Sequence, residues 1–396
     1  MESQRNLSTA VGFCVLPSEL IHNILLHLAL PEIVRLKSVS KSIAAIISDH
    51  DFIRQCNLRS RFSNWIFVCK KRWRRDSILQ GFADGSDRWF KIPVADHLIS
   101  ASCPREDLYF LAASGNFFLF ASNTSQEVIS VNFMTKTVKK IPPTPLVPRG
   151  MSSWRRSGMK LVSGSTSSDR FRFMFVELHE NHPVLYEYDS QTDNWRSMEA
   201  QENTENLPSV HKRGEHLIFL HAMNGHNEST IIAVGSNSGD DAPPPVVSRP
   251  RFDGEGNEEH QLVSWDSMFD RFRVYGDGNM MIVRSMGDQN PRVWTLSGIE
   301  VWGMSLNGRC WEYMTRVPSE LIEQIKKPYG VMKGCLEERE GIIRVVLMSN
   351  YEGLWDIIWL CYEKRKCQWS WVPVPDCNMK GQNMAGIAFS SGLALS

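Results

Sequence analysis

The chain has no excess charge of either sign: 44 Lys and Arg balance 44 Asp and Glu over 396 residues. A surface without net charge argues against general binding to nucleic acid or to a membrane face. It has no Cys-x-x-Cys pair, and the closest two of its nine cysteines, Cys361 and Cys367, have five residues between them. An odd count at wide spacing excludes a secreted disulfide framework and fits reduced thiols in the cytoplasm or nucleus. G-x-S-x-G, H-E-x-x-H and a Walker loop are all missing, so no familiar hydrolase, zinc-protease or nucleotide site is in view. Long apolar runs are missing too. Residues 11–30 come nearest, but Glu19, His22, Asn23 and His27 interrupt them and only Arg5 precedes them as a basic residue. That stretch is neither a signal-peptide h-region nor long enough for a membrane span.

What is present is ordinary in bulk and uneven in pattern. Hydrophobic content is 42% and charged content 22%, typical of a globular protein. The length allows one small and one large domain. Thirteen Trp and 19 Phe suit a strand-rich core.

The densest apolar patterning lies between Leu16 and Phe52. Pro17 suits a first helical position, where its missing N–H costs nothing. Leu16, Leu20, Ile24 and Leu28 recur every four residues with Ile21 and Leu25 beside them, a broad stripe at helical period. Pro31 ends that helix and opens a second, with Glu32 in its first turn where the dipole favours negative charge. Val39, Ile43, Ile46 and Ile47 mark a third. A helical piece this small seldom folds alone, so the cluster needs a partner. A small subdomain packed on the rest of the chain is the plainer alternative.

In order and spacing this segment resembles an F-box, the module that binds the adaptor Skp1 in cullin-based ubiquitin ligases. Ser40 stands where many members have Cys and Ile43 where many have Trp, changes of size that lower the expected affinity. The resemblance implies that Leu16, Pro17, Leu20, Ile24, Leu25, Leu28, Leu36, Val39 and Ile43 contact Skp1.

Beyond about residue 62 the helical stripes give way to short apolar strands between polar turns. One unit recurs six times, a large apolar residue followed seven positions later by another: Phe82/Trp89, Val131/Val138, Tyr188/Trp195, Trp265/Phe272, Met304/Trp311 and Tyr362/Trp369. Four copies run on into Ile-Pro or Val-Pro: Ile92-Pro93, Ile141-Pro142, Val317-Pro318 and Val372-Pro373. The unit reads as a β-hairpin whose two end residues pin the register. The final residues are spaced by 49, 57, 77, 39 and 58 positions. A period near 50 built from strands is that of a β-propeller blade, with the long gap explained by a flexible insertion near 236–260 containing Asp240-Asp241 and Pro243-Pro244-Pro245.

The Tyr-Asp-x-x-x-x-x-Trp phrase resembles the end of a kelch repeat. Trp369-Ser370-Trp371-Val372-Pro373 followed by Ala385-Gly386-Ile387-Ala388-Phe389 is similar to plant F-box/kelch proteins of the Unusual Floral Organs type. The Gly-Gly pair usual in kelch repeats is replaced by single glycines such as Gly115, Gly214, Gly278 and Gly341, so the repeats are degenerate. Six blades are expected, seven being the alternative and a two-sheet β-sandwich a further one. Ala385–Phe389 resembles Gly81–Ala83 and is expected to return a strand to the first blade.

The remaining constellations are weaker. His211, His216, His221 and His226 fall at intervals of five, which neither strand nor helix converges on one ion. Trp154-Arg155-Arg156 suits a target-binding hot spot or a strand-edge Trp with solvated arginines. The expectation is therefore a disordered residue 1–12 stretch, a small all-α F-box over 13–60 and an all-β kelch-type β-propeller over 61–396. Its expected role is a non-catalytic substrate receptor of an SCF-type ligase, without cofactor or metal, joined through Skp1 to a cullin and through the propeller to a target. A non-degradative scaffold or transcription bridge, and more distantly a kelch-fold copper oxidase, are the alternatives.

Overall fold

The computed structural model describes residues 16–60, 64–70, 78–93, 108–122, 127–144, 158–164, 170–180, 182–202, 217–223, 229–235, 243–248, 250–252, 273–275, 281–287, 294–305, 308–329, 331–378, 384–391 and 393–395. Four helices come first: α1 (Ser18–Leu26), α2 (Leu30–Leu36), α3 (Lys41–Ile47) and α4 (His50–Ser60). Local chemistry sets their starts. Pro17 is the N-cap of α1. Glu32 Oε2 accepts the Ala29 N–H (3.1 Å), Ser40 Oγ accepts the Ile43 N–H (3.2 Å), and Asp49 Oδ1 accepts from Asp51 and Phe52 N–H. Each side chain satisfies a donor that the first helical turn leaves free. Three of the helices follow the sequence stripes; α4 is an addition, polar on average and anchored by buried Phe52 and Cys56.

The strands follow in chain order. The first sheet begins with β1 (Asn64–Lys70), β2 (Ile78–Ala83) and β3 (Phe90–Pro93). The second is β4 (Leu108–Ser114), β5 (Phe117–Ser122), β6 (Val128–Asn132) and β7 (Thr137–Ile141). The third is β8 (Met159–Ser163), β9 (Phe171–His179), β10 (His182–Asp189) and β11 (Asn194–Glu199). The fourth holds β12 (Gln201–Glu202), β13 (Leu217–Met223), β14 (Ser229–Gly235) and β15 (Val246–Ser248). The fifth holds β16 (Arg251–Phe252), β17 (Arg273–Tyr275), β18 (Met281–Gly287), β19 (Trp294–Met304) and β20 (Cys310–Arg316), then, after helix α5 (Ser319–Ile325), β21 (Pro328–Tyr329). The last sheet is β22 (Val331–Arg339), β23 (Ile342–Tyr351), β24 (Leu354–Glu363) and β25 (Gln368–Val372). β26 (Met384–Ser391) then pairs antiparallel with β1, Ile66 opposite Phe389 and Val68 opposite Ile387. The chain therefore closes its ring with the segment that the sequence marks for that purpose.

The architecture is an all-β propeller. Its blade count is corrected from the expected six or seven to five regular four-stranded blades; the fifth sheet in chain order is not such a blade but a larger, six-stranded sheet. Two short strands enlarge that sheet, β16 and β21, the latter paired with β19. β16 leaves the fourth sheet and lies parallel to β20, just as β12 leaves the third and lies parallel to β15. Each covers the outer edge of the next sheet, blunting an edge otherwise open to pairing. A second correction concerns the insertion. Val246–Ser248, inside the stretch expected to be a flexible loop, form the buried strand β15, whose Val246 packs between the fourth and fifth sheets with Ile231, Ala233 and Trp311.

Four of the six hairpin units are seen to place their end residues directly opposite: Val131 with Val138, Tyr188 with Trp195, Met304 with Trp311 and Tyr362 with Trp369. Phe82 and Trp89 have ring centroids 5.3 Å apart. Trp265 and Phe272 lie outside the described residues. The tryptophans do more than pin their own hairpin. Trp195 Nε1 donates to Pro142 O (2.9 Å), Trp89 Nε1 to Pro375 O (2.8 Å) and Trp369 Nε1 to Thr315 Oγ1 (3.1 Å). In each case the acceptor belongs to the neighbouring, preceding part of the ring. Apolar clusters fill the space between successive sheets, including one that joins the last sheet to the first.

Candidate functional site

The helical unit divides its apolar residues between two tasks. Ile21 and Leu25, four apart on α1, point inward with Leu30, Ile33, Ile47, Phe52 and Cys56, all buried. His22 sits edge-on to the Phe52 ring at 5.1 Å. Leu20 and Ile24, the neighbouring i, i+4 pair, remain 50% and 41% exposed, and Val39 after α2 is 66% exposed. Isolated exposed apolar side chains are ordinary on a protein surface; two in register on one short helix, beside exposed Pro17, are a face that water covers at a cost.

The nine residues singled out in the sequence separate on this geometry. Pro17, Leu20, Ile24 and Val39 are exposed and available to a partner. Leu16, Leu28, Leu36 and Ile43 are half-buried against the internal core and offer only part of their surface. Leu25 is fully buried among the helices. A stripe of six apolar residues is wider than one interface, and the part nearest α3 and α4 is used at home. Ser40 gains a reason, since its hydroxyl caps α3 and a thiol is a weaker acceptor.

These observations coincide with a family match over residues 13–55, described as an F-box domain. Residues 13–55 are an F-box domain. The chain is thus an F-box followed by a β-propeller, and F-box domains indicate an adaptor-type protein. No curated protein matches the sequence. Among solved structures the chain is similar to one in a nidogen/laminin complex, at 5% identity and TM-score 0.38, covering 84% of this chain and 100% of that one. It is similar to TolB from Acinetobacter baumannii (11%, TM-score 0.34, 88% and 73% covered). The Swd1 β-propeller domain of Myceliophteria thermophila gives 8%, 0.34, 74% and 96%. Scores this low transfer neither activity nor partner.

The F-box is joined to the first sheet of the propeller. Arg35 Nη2 donates to Lys91 O (2.9 Å), and Arg88 forms an ion pair with Glu32. A cleft of about 380 Å³ lies at this joint, with Leu28, Ile33, Trp65 and Phe90 on its walls and Asp84 and Asp87 at its rim. Neither of these two links was legible, because nothing in the spacing of Glu32 or Arg35 points 56 residues ahead.

The other sequence candidates fare differently. Trp154, Arg155 and Arg156 lie outside the described residues, as do His211, His216 and His226. His221 packs its backbone against Gly158, where an added Cβ would sit 2.2 Å from His221 O. Among the described residues no group of three or more His, Cys, Asp or Glu could hold a metal ion, and no helix is long and apolar enough to cross a membrane. The buried thiol of Cys69 is pushed up to about 12 by burial and that of Cys361 to about 11, so both stay protonated at neutral pH.

Proposed function

We propose that this protein is the substrate-recognition subunit of an SCF-type E3 ubiquitin ligase, with the F-box bound to a Skp1-type adaptor and through it to a cullin. The observation that carries this reading is the exposed Leu20 and Ile24 face on α1 within an F-box domain whose Ile21, Leu25, Ile33, Ile47 and Phe52 are already buried. The propeller then presents a target to the ligase. Its contribution is proximity: tethering makes ubiquitin transfer effectively intramolecular and requires no catalytic group in this chain. The Trp154-Arg155-Arg156 segment is the proposed target contact.

The finer form of the proposal is a plant F-box protein with degenerate kelch repeats, of the Unusual Floral Organs type, working in the cytoplasm or nucleus. The paired Tyr188/Trp195 and Tyr362/Trp369 hairpins support the kelch part of that reading. The test is binding of purified full-length protein to a Skp1-type adaptor by titration calorimetry. Leu20→Ala with Ile24→Ala is expected to weaken binding about 30-fold or more, the scale of hot-spot losses of about 2 kcal/mol, with the melting curve unchanged. Unchanged affinity in a folded double variant sinks the adaptor reading. A target whose half-life is the same with and without proteasome inhibition would turn the role into that of a scaffold.

A further inference from the structure

Beyond β26, Leu393, Ala394 and Leu395 are all buried, and the two leucines pack against the F-box. Two asparagines hold this tripeptide by its backbone. Asn57 on α4 donates from Nδ2 to Leu395 O (2.9 Å) and accepts the Leu395 N–H at Oδ1 (2.7 Å). Asn116, at the turn between β4 and β5, does the same to Ala394, with Nδ2 to O at 2.8 Å and N to Oδ1 at 2.9 Å.

A primary amide carries the donor and acceptor of a peptide group, so each asparagine mimics one residue of a pairing strand. Consecutive residues of an extended chain turn their N–H and C=O to opposite sides. One side is here taken by the F-box and the other by the second sheet of the propeller. Leu393 and Leu395 join the apolar cluster that holds Leu25, Ile33 and Phe52 of the helices together with Phe118 and Phe120 of that sheet. The tripeptide is therefore packed and hydrogen-bonded to both units at once. Two further polar links between them, the Arg35 to Lys91 hydrogen bond and the Arg88 to Glu32 ion pair, lie at the surface, where such interactions contribute little.

We propose that Asn57 and Asn116 form a peptide clasp, occupied in cis by Leu393–Leu395, and that this occupied clasp, rather than the surface ion pair, keeps the F-box docked on the propeller. The adaptor-binding face of α1 is then held at one orientation to the ring. The clasp stands independently of which partner α1 meets.

Hydrogen–deuterium exchange of the full-length protein tests this. Asn57→Ala removes the helix side of the clasp. Leu395→Pro removes the N–H that Asn57 accepts while leaving every residue of the helices and blades in place. Both variants are expected to lose at least tenfold in amide protection across α1 and α4, with β9 and β10 unchanged. Arg88→Ala, which breaks the surface ion pair, is expected to leave all four elements as they are. Unchanged α4 protection in Leu395→Pro overturns the proposal, even if Asn57→Ala loosens its own helix. Loss in Arg88→Ala equal to that in Leu395→Pro overturns it as well.

Discussion

The pentapeptide Pro-Ser-Glu-Leu-Ile occurs twice, at residues 17–21 and 318–322, and opens a helix both times. The two N-caps share one backbone conformation: Pro17 has φ −51° and ψ 144°, Pro318 φ −57° and ψ 145°, and a glutamate follows in each first turn. An isoleucine also stands three residues after each, Ile24 and Ile325. Their fates differ. Ile24 is 41% exposed, whereas Ile325 is 2% exposed and packs with Ile322 among Val301, Leu336 and Val345 between the fifth and last sheets. α1 is covered on one side by its sister helices and left bare on the other. The same residues therefore fix the same local fold, and the surroundings alone decide which helix has a surface to offer. A motif read as an interface is an interface only where the rest of the chain leaves it uncovered.

The largest expected effect separates the two isoleucines. Ile325→Ala should cost about 2–5 kcal/mol of propeller stability, the range for truncating a packed aliphatic residue. Ile24→Ala should stay within about 0.5 kcal/mol, as at other surface positions. Urea denaturation of the two full-length variants reads both. Equal losses would erase the distinction between a structural and an interactive copy of the motif.

A smaller effect concerns how the helices begin. Neither Pro17 nor Pro318 makes a side-chain cap, whereas Ser40 accepts the Ile43 N–H. Ser40→Ala should cost about 1 kcal/mol in F-box stability, the usual loss on removing a serine cap. Ser40→Cys, which restores the residue common in the family, should recover little of it because sulfur accepts weakly. Thermal melts of the three proteins decide this. A cysteine variant as stable as the parent would mean that packing, not capping, selects the residue.

These contrasts show what the sequence can and cannot disclose. Periodicity disclosed α1 to α3 because their apolar residues repeat at the helical interval, and the hairpin pairs because Tyr188 and Trp195 must face each other across a short turn. Ring closure was legible through the likeness of Ala385–Phe389 to Gly81–Ala83. Three features left no trace. The two-residue strands β12 and β16 are too short for any period and owe their place to a neighbour's open edge. Hairpin turns ending in Lys136, Asp193 and Cys367, at φ 58°, 57° and 51°, carry none of the glycine that normally marks a left-handed position. Nor does the burial of Leu25 against the exposure of Leu20 follow from the stripe, since both satisfy the same period and only α3 and α4 tell them apart.

The smallest effect compares an arginine-paired carboxylate in each region. Asp51 on α4 is bonded by Arg54 at 2.5 Å with both side chains at least half exposed; Asp189 at the end of β10 is bonded by Arg170 at 2.6 Å and is 17% exposed. The hydrogen bonds from Arg54 and Gln55 lower the pKa of Asp51. Burial alone would raise that of Asp189, but the bonds from Arg170 and the Gln191 N–H outweigh it and the net shift is also downward. A depressed folded pKa means stability that is fully present above the unfolded value, about 3.9, and lost as pH falls through the folded one. Salt screens the exposed pair far more than the sheltered one. In 0.15 M salt, Asp189→Asn should therefore lower stability slightly at pH 7 and flatten its decline below about pH 4, while Asp51→Asn should leave the curve where it was. Melting temperatures between pH 2.5 and 7 measure both. If Asp51→Asn flattened the curve as much as Asp189→Asn, burial would not be what distinguishes ion pairs of the ring from those of the helices.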